Sequence, residues 1–328
     1  MSRNGARVLA GLAAAASAAL VVGVTVLQAD DGGGQEPAAE PRPERRPPPL
    51  ELGLLLRDDE QARALREAER LLDEGDREGA RARFEELAAA DPESVEAAVG
   101  AAVAAWPEGT VERLDELVAD HPASGVARLH LGFALLASGD AEGAEEEWRQ
   151  VERRDPDTPA ALRAEDVLHP SFAPGRPPFV APLGAPAGVA GLPPAEQLAE
   201  LERRAARGVL DAQLLYGIAL QRSGQPVSAS EAFARAAAAH PGSTAAKVAS
   251  ALGRFDKDDP SQAFSRLGPL ARADETGVVR YHLGLALSWL GQVEEARRQL
   301  RLARAAAAGG FYGREAERLL DRLEGAGS

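Results

Sequence analysis

The chain of 328 residues is expected to be all-α: an α-α solenoid of helix hairpins behind a single N-terminal transmembrane helix. Three observations predict it. Small and large apolar residues recur at fixed steps in several copies, an uncharged run stands near the N-terminus, and a Pro/Gly-rich stretch separates the two. With 45% hydrophobic residues the chain can build one or two cores. It has no cysteine, which excludes disulfide scaffolds, thiolate zinc sites and cysteine nucleophiles together. A net charge of −14 repels a phosphate backbone, so nucleic acid is not an expected partner. Among 37 basic residues only Lys247 and Lys257 are lysines. That imbalance reads as a bias of the coding DNA and gives the arginines no special role.

The first element is the run at 8–27, preceded by Arg3 and Arg7 and followed by Asp30 and Asp31. As a helix its 20 residues span about 30 Å, the thickness of a bilayer's hydrocarbon core. The charge asymmetry places the N-terminus inside and the rest of the chain outside. Residues 1–28 are therefore expected to be a retained anchor, with a cleaved secretion signal as the alternative. Against cleavage, Leu27 stands two residues before Ala29, the best small residue near the end of the run. Residues 29–50 carry Gly32, Gly33 and Gly34, then Pro37, Pro41, Pro43, Pro47, Pro48 and Pro49 among charges. Such a segment is expected to be a disordered spacer.

The repeats come next. Residues 128–135 read Arg-Leu-His-Leu-Gly-Phe-Ala-Leu and residues 280–287 read Arg-Tyr-His-Leu-Gly-Leu-Ala-Leu, six matches in eight. A third copy at 215–220 keeps Gly217 in register with Gly132 and Gly284. After each of these glycines a Gly follows seven residues on (Gly139, Gly224, Gly291) and an Ala twelve on (Ala144, Ala229, Ala296). A large apolar residue stands sixteen on, at Trp148, Phe233 and Leu300. An earlier stretch has Ala68, Gly75, Ala80 and Phe84 in the same places. Small residues let the two helices of a hairpin approach, the second Gly caps the first helix in a left-handed conformation, and the large residue fills the core between hairpins. Pro92, Pro156 and Pro241 close units.

These landmarks resemble the tetratricopeptide repeat over roughly residues 61–323. Residues 208–217 also resemble the related Sel1-like repeat. Both resemblances imply stacked helix hairpins whose first helices line a concave face. The remaining units carry a weaker signal. A contracted hairpin is expected between Pro92 and Pro122 with Leu114 and Leu117 on its second helix, and another using Ala251, Ala263 and Leu267. The step from Gly132 to Gly217 is 85 residues, read as one long unit with helices near 159–168 and 194–208 and an insertion between them. The domains expected are thus N-terminal hairpins at 51–168, the insertion at 169–194, and C-terminal hairpins with a capping helix at 195–328. The insertion holds eight Pro and four Gly, with Phe172, Phe179, Val180, Leu183 and Leu192. It is either a linker between helical domains or a segment whose apolar residues pack into the groove.

The resemblance implies that residues three before, one after and four after each Gly face a ligand. These are Leu129, Phe133 and Leu136; Leu214, Ile218 and Gln221; and Tyr281, Leu285 and Ser288. The groove so built is apolar and lacks the Lys, Arg and Asn with which some family members hold a C-terminal carboxylate. It suits a protein or peptide segment, unless these residues simply pack between hairpins or are covered by the insertion. His130 and His282 fall two residues before their glycines, too far apart in the repeat for a metal pair, and read as packing or capping residues. His121 and His240 are expected at helix C-termini. Asp256, Asp258 and Asp259 form an acidic turn without the Gly and Glu of a calcium loop, and Glu145, Glu146 and Glu147 form an exposed face. No phosphate loop, zinc-protease motif or nucleophile elbow is present. The expected function is a membrane-anchored scaffold or assembly adaptor for protein segments, without metal or cofactor. The alternatives are an enzyme lidded by residues 169–194 and a structural spacer.

Overall fold

The computed structural model describes residues 46–325, so the predicted anchor at 1–28 and the spacer up to residue 45 lie outside the described residues. Among the described residues there are fifteen helices and no strand, and no helix is long and apolar enough to cross a membrane.

The helices form two sets. The first comprises α1 (Glu60–Asp73), α2 (Arg77–Ala90), α3 (Val95–Ala104), α4 (Thr110–Asp120), α5 (Gly125–Ser138), α6 (Ala141–Arg154) and α7 (Pro159–Leu168). A lone helix, α8 (Pro194–Ala205), precedes the second set. That set comprises α9 (Leu210–Arg222), α10 (Pro226–Ala239), α11 (Thr244–Leu252), α12 (Ser261–Ala271), α13 (Val278–Trp289), α14 (Val293–Ala306) and α15 (Phe311–Gly325). Each helix from α9 to α15 starts 149 to 153 residues after its counterpart from α1 to α7. The chain therefore carries the same unit twice: three hairpins closed by a single helix. In each half the first helices of the hairpins and the closing helix stack side by side as an inner layer, α1, α3, α5, α7 and α9, α11, α13, α15.

The landmark residues take the roles their spacing predicts. Gly139 ends α5 with φ 100°, a left-handed conformation that a Cβ would strain, and Ser124 starts the same helix by accepting the Ala127 amide at 3.2 Å. A Cβ added at Gly132 would lie 2.3 Å from Trp148 Nε1, and one at Gly217 would lie 2.3 Å from Phe233. Hydrogen is thus the largest side chain these contacts admit. Trp148 in turn donates its indole N–H to the Leu129 carbonyl at 3.2 Å. Ala144, Ala229 and Ala296 are buried, as are Leu114, Ala251, Ala263 and Leu267 of the two shorter hairpins. His121 and His240 sit at the C-caps of α4 and α10.

One expected unit is replaced by a different arrangement. The helices at 159–168 and 194–205 do not form a long hairpin: α7 packs on α5 and α6, whereas α8 packs on α9. The 85-residue step hides the end of one set and the start of another, and α7 is the counterpart of the capping helix α15. Polar contacts join the halves at this point. Asp157 accepts the amides of Val227 and Ser228 at 2.8 and 3.0 Å, capping α10, whose own N-cap residue Gln225 supplies no side-chain bond. Within the acidic turn Asp258 and Asp259 are exposed, but Lys257 between them and Asp256 is buried and pairs with Asp166 of α7. Arg176 pairs with buried Glu165 at 2.9 Å. Burial, reinforced by Glu165, Asp258 and Asp256, pushes the nearby Glu152 carboxyl up to about 7. Glu147 also departs from the expected exposed face, pairing with buried Arg128 at 2.7 Å.

Candidate peptide-binding grooves

The inner layer of each half holds an extended stretch of the chain itself. In the first half this is residues 46–54, the Pro-rich end of the sequence-predicted spacer together with residues 51–54; in the second it is residues 176–183, from the insertion. Neither contains helix or strand. Laid side by side, Pro48-Pro49-Leu50-Glu51-Leu52-Gly53-Leu54 matches Pro177-Pro178-Phe179-Val180-Ala181-Pro182-Leu183 at both prolines, at a large apolar third residue and at the final Leu. Inward-facing residues alternate along both. Pro48, Leu52 and Leu54 are buried in one, and Pro177 and Phe179 in the other. Leu50 in the first, and Ala181 and Leu183 in the second, are partly buried against the core. A period of two is that of an extended chain laid against an apolar surface.

The same histidine clasps each stretch. His130 Nε2 accepts the Glu51 amide at 3.0 Å, and His282 Nε2 accepts the Val180 amide at 2.9 Å. On the other side of the ring, Nδ1 meets the carbonyl four residues back, Val126 or Val278, at 2.7 Å in both cases. An imidazole that accepts at Nε2 must carry its proton at Nδ1, so each ring is neutral and donates to the helix carbonyl. Burial supports that state by lowering both pKa values from 6.5 to about 4.

Around this shared clasp the two grooves differ. In the second, Phe179 stacks on His282 with ring centroids 5.0 Å apart and meets Phe233 edge-on at 5.5 Å. Gln221 Oε1 accepts the Phe179 amide at 3.1 Å, and the Tyr312 hydroxyl donates to the Val180 carbonyl at 3.2 Å. The first groove uses ionisable groups instead. Glu69 accepts the Leu52 amide at 3.2 Å, Arg66 donates to the Leu54 carbonyl at 2.8 Å, and Arg163 pairs with Glu51 at 2.8 Å.

The nine residues expected along the concave face divide between packing and the grooves. Leu129 and Phe133 are buried in a cluster with residues of α6 and α7, and Tyr281 and Leu285 in a cluster with residues of α15. Leu214 and Ile218 share a cluster with Phe179, and Gln221 touches the same segment through its amide oxygen. Leu136 is exposed, and Ser288 is half-buried, donating to the Leu285 carbonyl at 2.7 Å. In the sequence His130 and His282 read as packing or capping residues, with nothing local to pair either with the segment it holds. The available signal was the likeness of residues 48–54 to residues 177–183, carried by two adjacent prolines in each. No group of three or more His, Cys, Asp or Glu side chains among the described residues is arranged to hold a metal ion.

Comparison with known proteins places the repeat. Residues 107–165, from the end of the second hairpin into α7, match the family model for the tetratricopeptide repeat. A search of curated proteins returned no match. Among solved structures, the chain is similar to a tetratricopeptide repeat protein from Parabacteroides merdae, at 11% identity and a TM-score of 0.33, over 80% of this chain and 98% of that one. It is also similar to human IFIT1, solved as a dimer with PPP-AAAA, at 15% identity and a TM-score of 0.32, over 81% of this chain and 63% of that one. Yeast Tom70 matches at 11% identity and a TM-score of 0.30, over 83% of this chain and 62% of that one. The chain thus spans less than two thirds of the latter two proteins. The matched segment thus carries a tetratricopeptide repeat, and its landmark spacing and hairpin packing recur along both halves.

Proposed function

We propose that the chain is a protein-binding scaffold, tethered to a membrane through residues 8–27 with its helical body on the outer side, that holds an extended segment of a partner against its inner layer. One observation carries the binding part of this reading. The inner layer of each half already seats an extended stretch through main-chain hydrogen bonds and apolar pockets at alternate residues. That is how extended peptides are generally recognised, with affinity from the main chain and selectivity from the pockets. Leu214, Ile218 and Gln221, together with Phe233, form the apolar wall and polar hold of the second groove. The tether rests on the uncharged run and on the charges that flank it.

Photocrosslinking from Gln221 and Leu136 in intact cells tests the binding. The expected result is a discrete protein adduct from both sites; adducts no different from those of a site on the outer helices would sink it. Carbonate extraction and protease protection test the tether. The chain should stay with membranes and be cut from outside only, and release into the soluble fraction would overturn that part alone.

A further inference from the structure

We infer that the segment these grooves take is an extended Pro-Pro-Φ-x-x-x-Leu peptide, where Φ is a large apolar residue, and that residues 46–54 and 176–183 are resident copies of it that a partner's segment displaces. The inference rests on the scaffold reading above and names its ligand. Three observations support it. First, the two stretches share this pattern although little else in them is alike, and in both the first Pro is buried and the residue after Φ gives its amide to a histidine. Second, the contact is the same while the connection is not. Glu51 lies 79 residues before its histidine and Val180 lies 102 before its own, because α8 has been added to the second path. A contact that survives a change of 23 residues in its tether depends on the segment and not on how it is attached. Third, the hold is mostly through the main chain: His282, Gln221 and Tyr312 contact amides and a carbonyl of residues 179–180. Such contacts leave the outward residues free to vary, and two prolines stiffen the peptide in the extended form it must adopt, which lowers the entropy cost of docking.

The first groove is the better place to observe exchange. Its resident Φ, Leu50, is only partly buried, whereas Phe179 is 1% exposed and stacked on a ring. A competing peptide therefore has less buried surface to displace at residues 46–54 than at residues 176–183.

The experiment measures fluorescence anisotropy of a labelled synthetic peptide, residues 174–185, with the full chain and with Glu51→Pro. That substitution removes the amide hydrogen taken by His130 and leaves Leu52 and Leu54 in place. The peptide should bind Glu51→Pro at least tenfold more tightly than the unaltered chain. Binding should fall at least tenfold when the peptide's phenylalanine becomes alanine, when its following valine is N-methylated, or when His130→Ala is added to the chain. Equal binding of the alanine and phenylalanine peptides, or no binding to a Glu51→Pro chain with unchanged helical circular dichroism, overturns the inference. Should Glu51→Pro unfold, Val180→Pro with a peptide of residues 46–56 gives the same test in the second half. Unfolding of both variants would identify the stretches as fixed parts of the fold and overturn it equally. Partner adducts at Gln221 without binding of either peptide would reject the ligand and leave the scaffold reading standing.

Discussion

The two halves of this molecule are built to one plan with different materials. Both have three hairpins and a closing helix, and both clasp an extended stretch with a neutral histidine in the corresponding place on the third hairpin. In the first half Trp148 fills the space beside the hairpin glycine, and Leu300 does so in the second. Arg128 faces Glu147 in one and Arg280 faces Gln299 in the other, each at the same separation along the chain. Leu50 docks in one groove and Phe179 in the other. What stays constant is a main-chain hydrogen bond and a small-against-large contact. The charges and ring systems around them can be exchanged, so the fold depends on the former.

The largest effects should come from the clasps. His282→Ala leaves the Val180 amide without its partner and opens a cavity under Phe179, at a cost of about 3–4 kcal/mol, while His130→Ala should cost about 2–3 because Leu50 is less enclosed. Urea unfolding of both variants checks the order, and equal costs would show that the second groove is not the tighter one. Through these two rings acid should weaken each half. Each ring has a native pKa of about 4 against 6.5 unfolded, so below pH 6.5 the unfolded chain takes up protons that the folded chain refuses. The stability from each histidine is full above pH 6.5 and falls as pH drops towards 4, by on the order of 3 kcal/mol per ring. His130→Gln and His282→Gln should each reduce the loss by on the order of 3 kcal/mol relative to the unaltered chain, read as a difference in urea midpoints between pH 4 and 7, where Glu152, raised to about 7, acts in the opposite sense.

Next in size is the glycine contact. Gly132→Ala should cost about 2–3 kcal/mol, since its Cβ would lie 2.3 Å from Trp148, which would have to give up its bond to Leu129, and Gly284→Ala about 1–2, since its Cβ would meet Leu300 Cγ less closely, at 2.8 Å, with the Ala296 carbonyl at 3.1 Å. Thermal melts distinguish them, and a larger loss at Gly284 would reverse this account of the two packings. Glu147→Gln, which gives the first half the neutral partner of the second, should cost about 2 kcal/mol: the hydrogen bond to Arg128 is kept, but Arg128 is buried where Arg280 is half-buried, and it loses its counter-charge. A loss under about 1 kcal/mol in urea unfolding would mean that the two arginine sites are interchangeable.

The fold was legible because its landmarks are steric. A Gly, a Gly, an Ala and a large residue at steps of seven, twelve and sixteen leave few ways to pack a hairpin, and the sequence displays them without reference to any distant residue. The helix expected near 159–168 is α7, started by Thr158 and Pro159, and the end of α5 falls at its expected Gly139. The grooves were only half legible. Gln221 was picked from its place in the repeat and does meet residue 179, but the partner of His282 lies 102 residues away on a segment without periodicity. The division into halves was hidden as well. At the join, α7 and α8 look like the two helices of one stretched hairpin, and only their packing reveals that one ends a unit and the other precedes the next.

The position of residues 46–54 has a mechanical consequence. Tension arriving along the chain from before residue 46 reaches the helices through this strap. The load falls on the Glu51 to His130 bond and on the seats of Pro48, Leu52 and Leu54 before it passes along the chain to α1. The first groove is therefore a coupling in the load path, and peeling it open would uncover its inner wall.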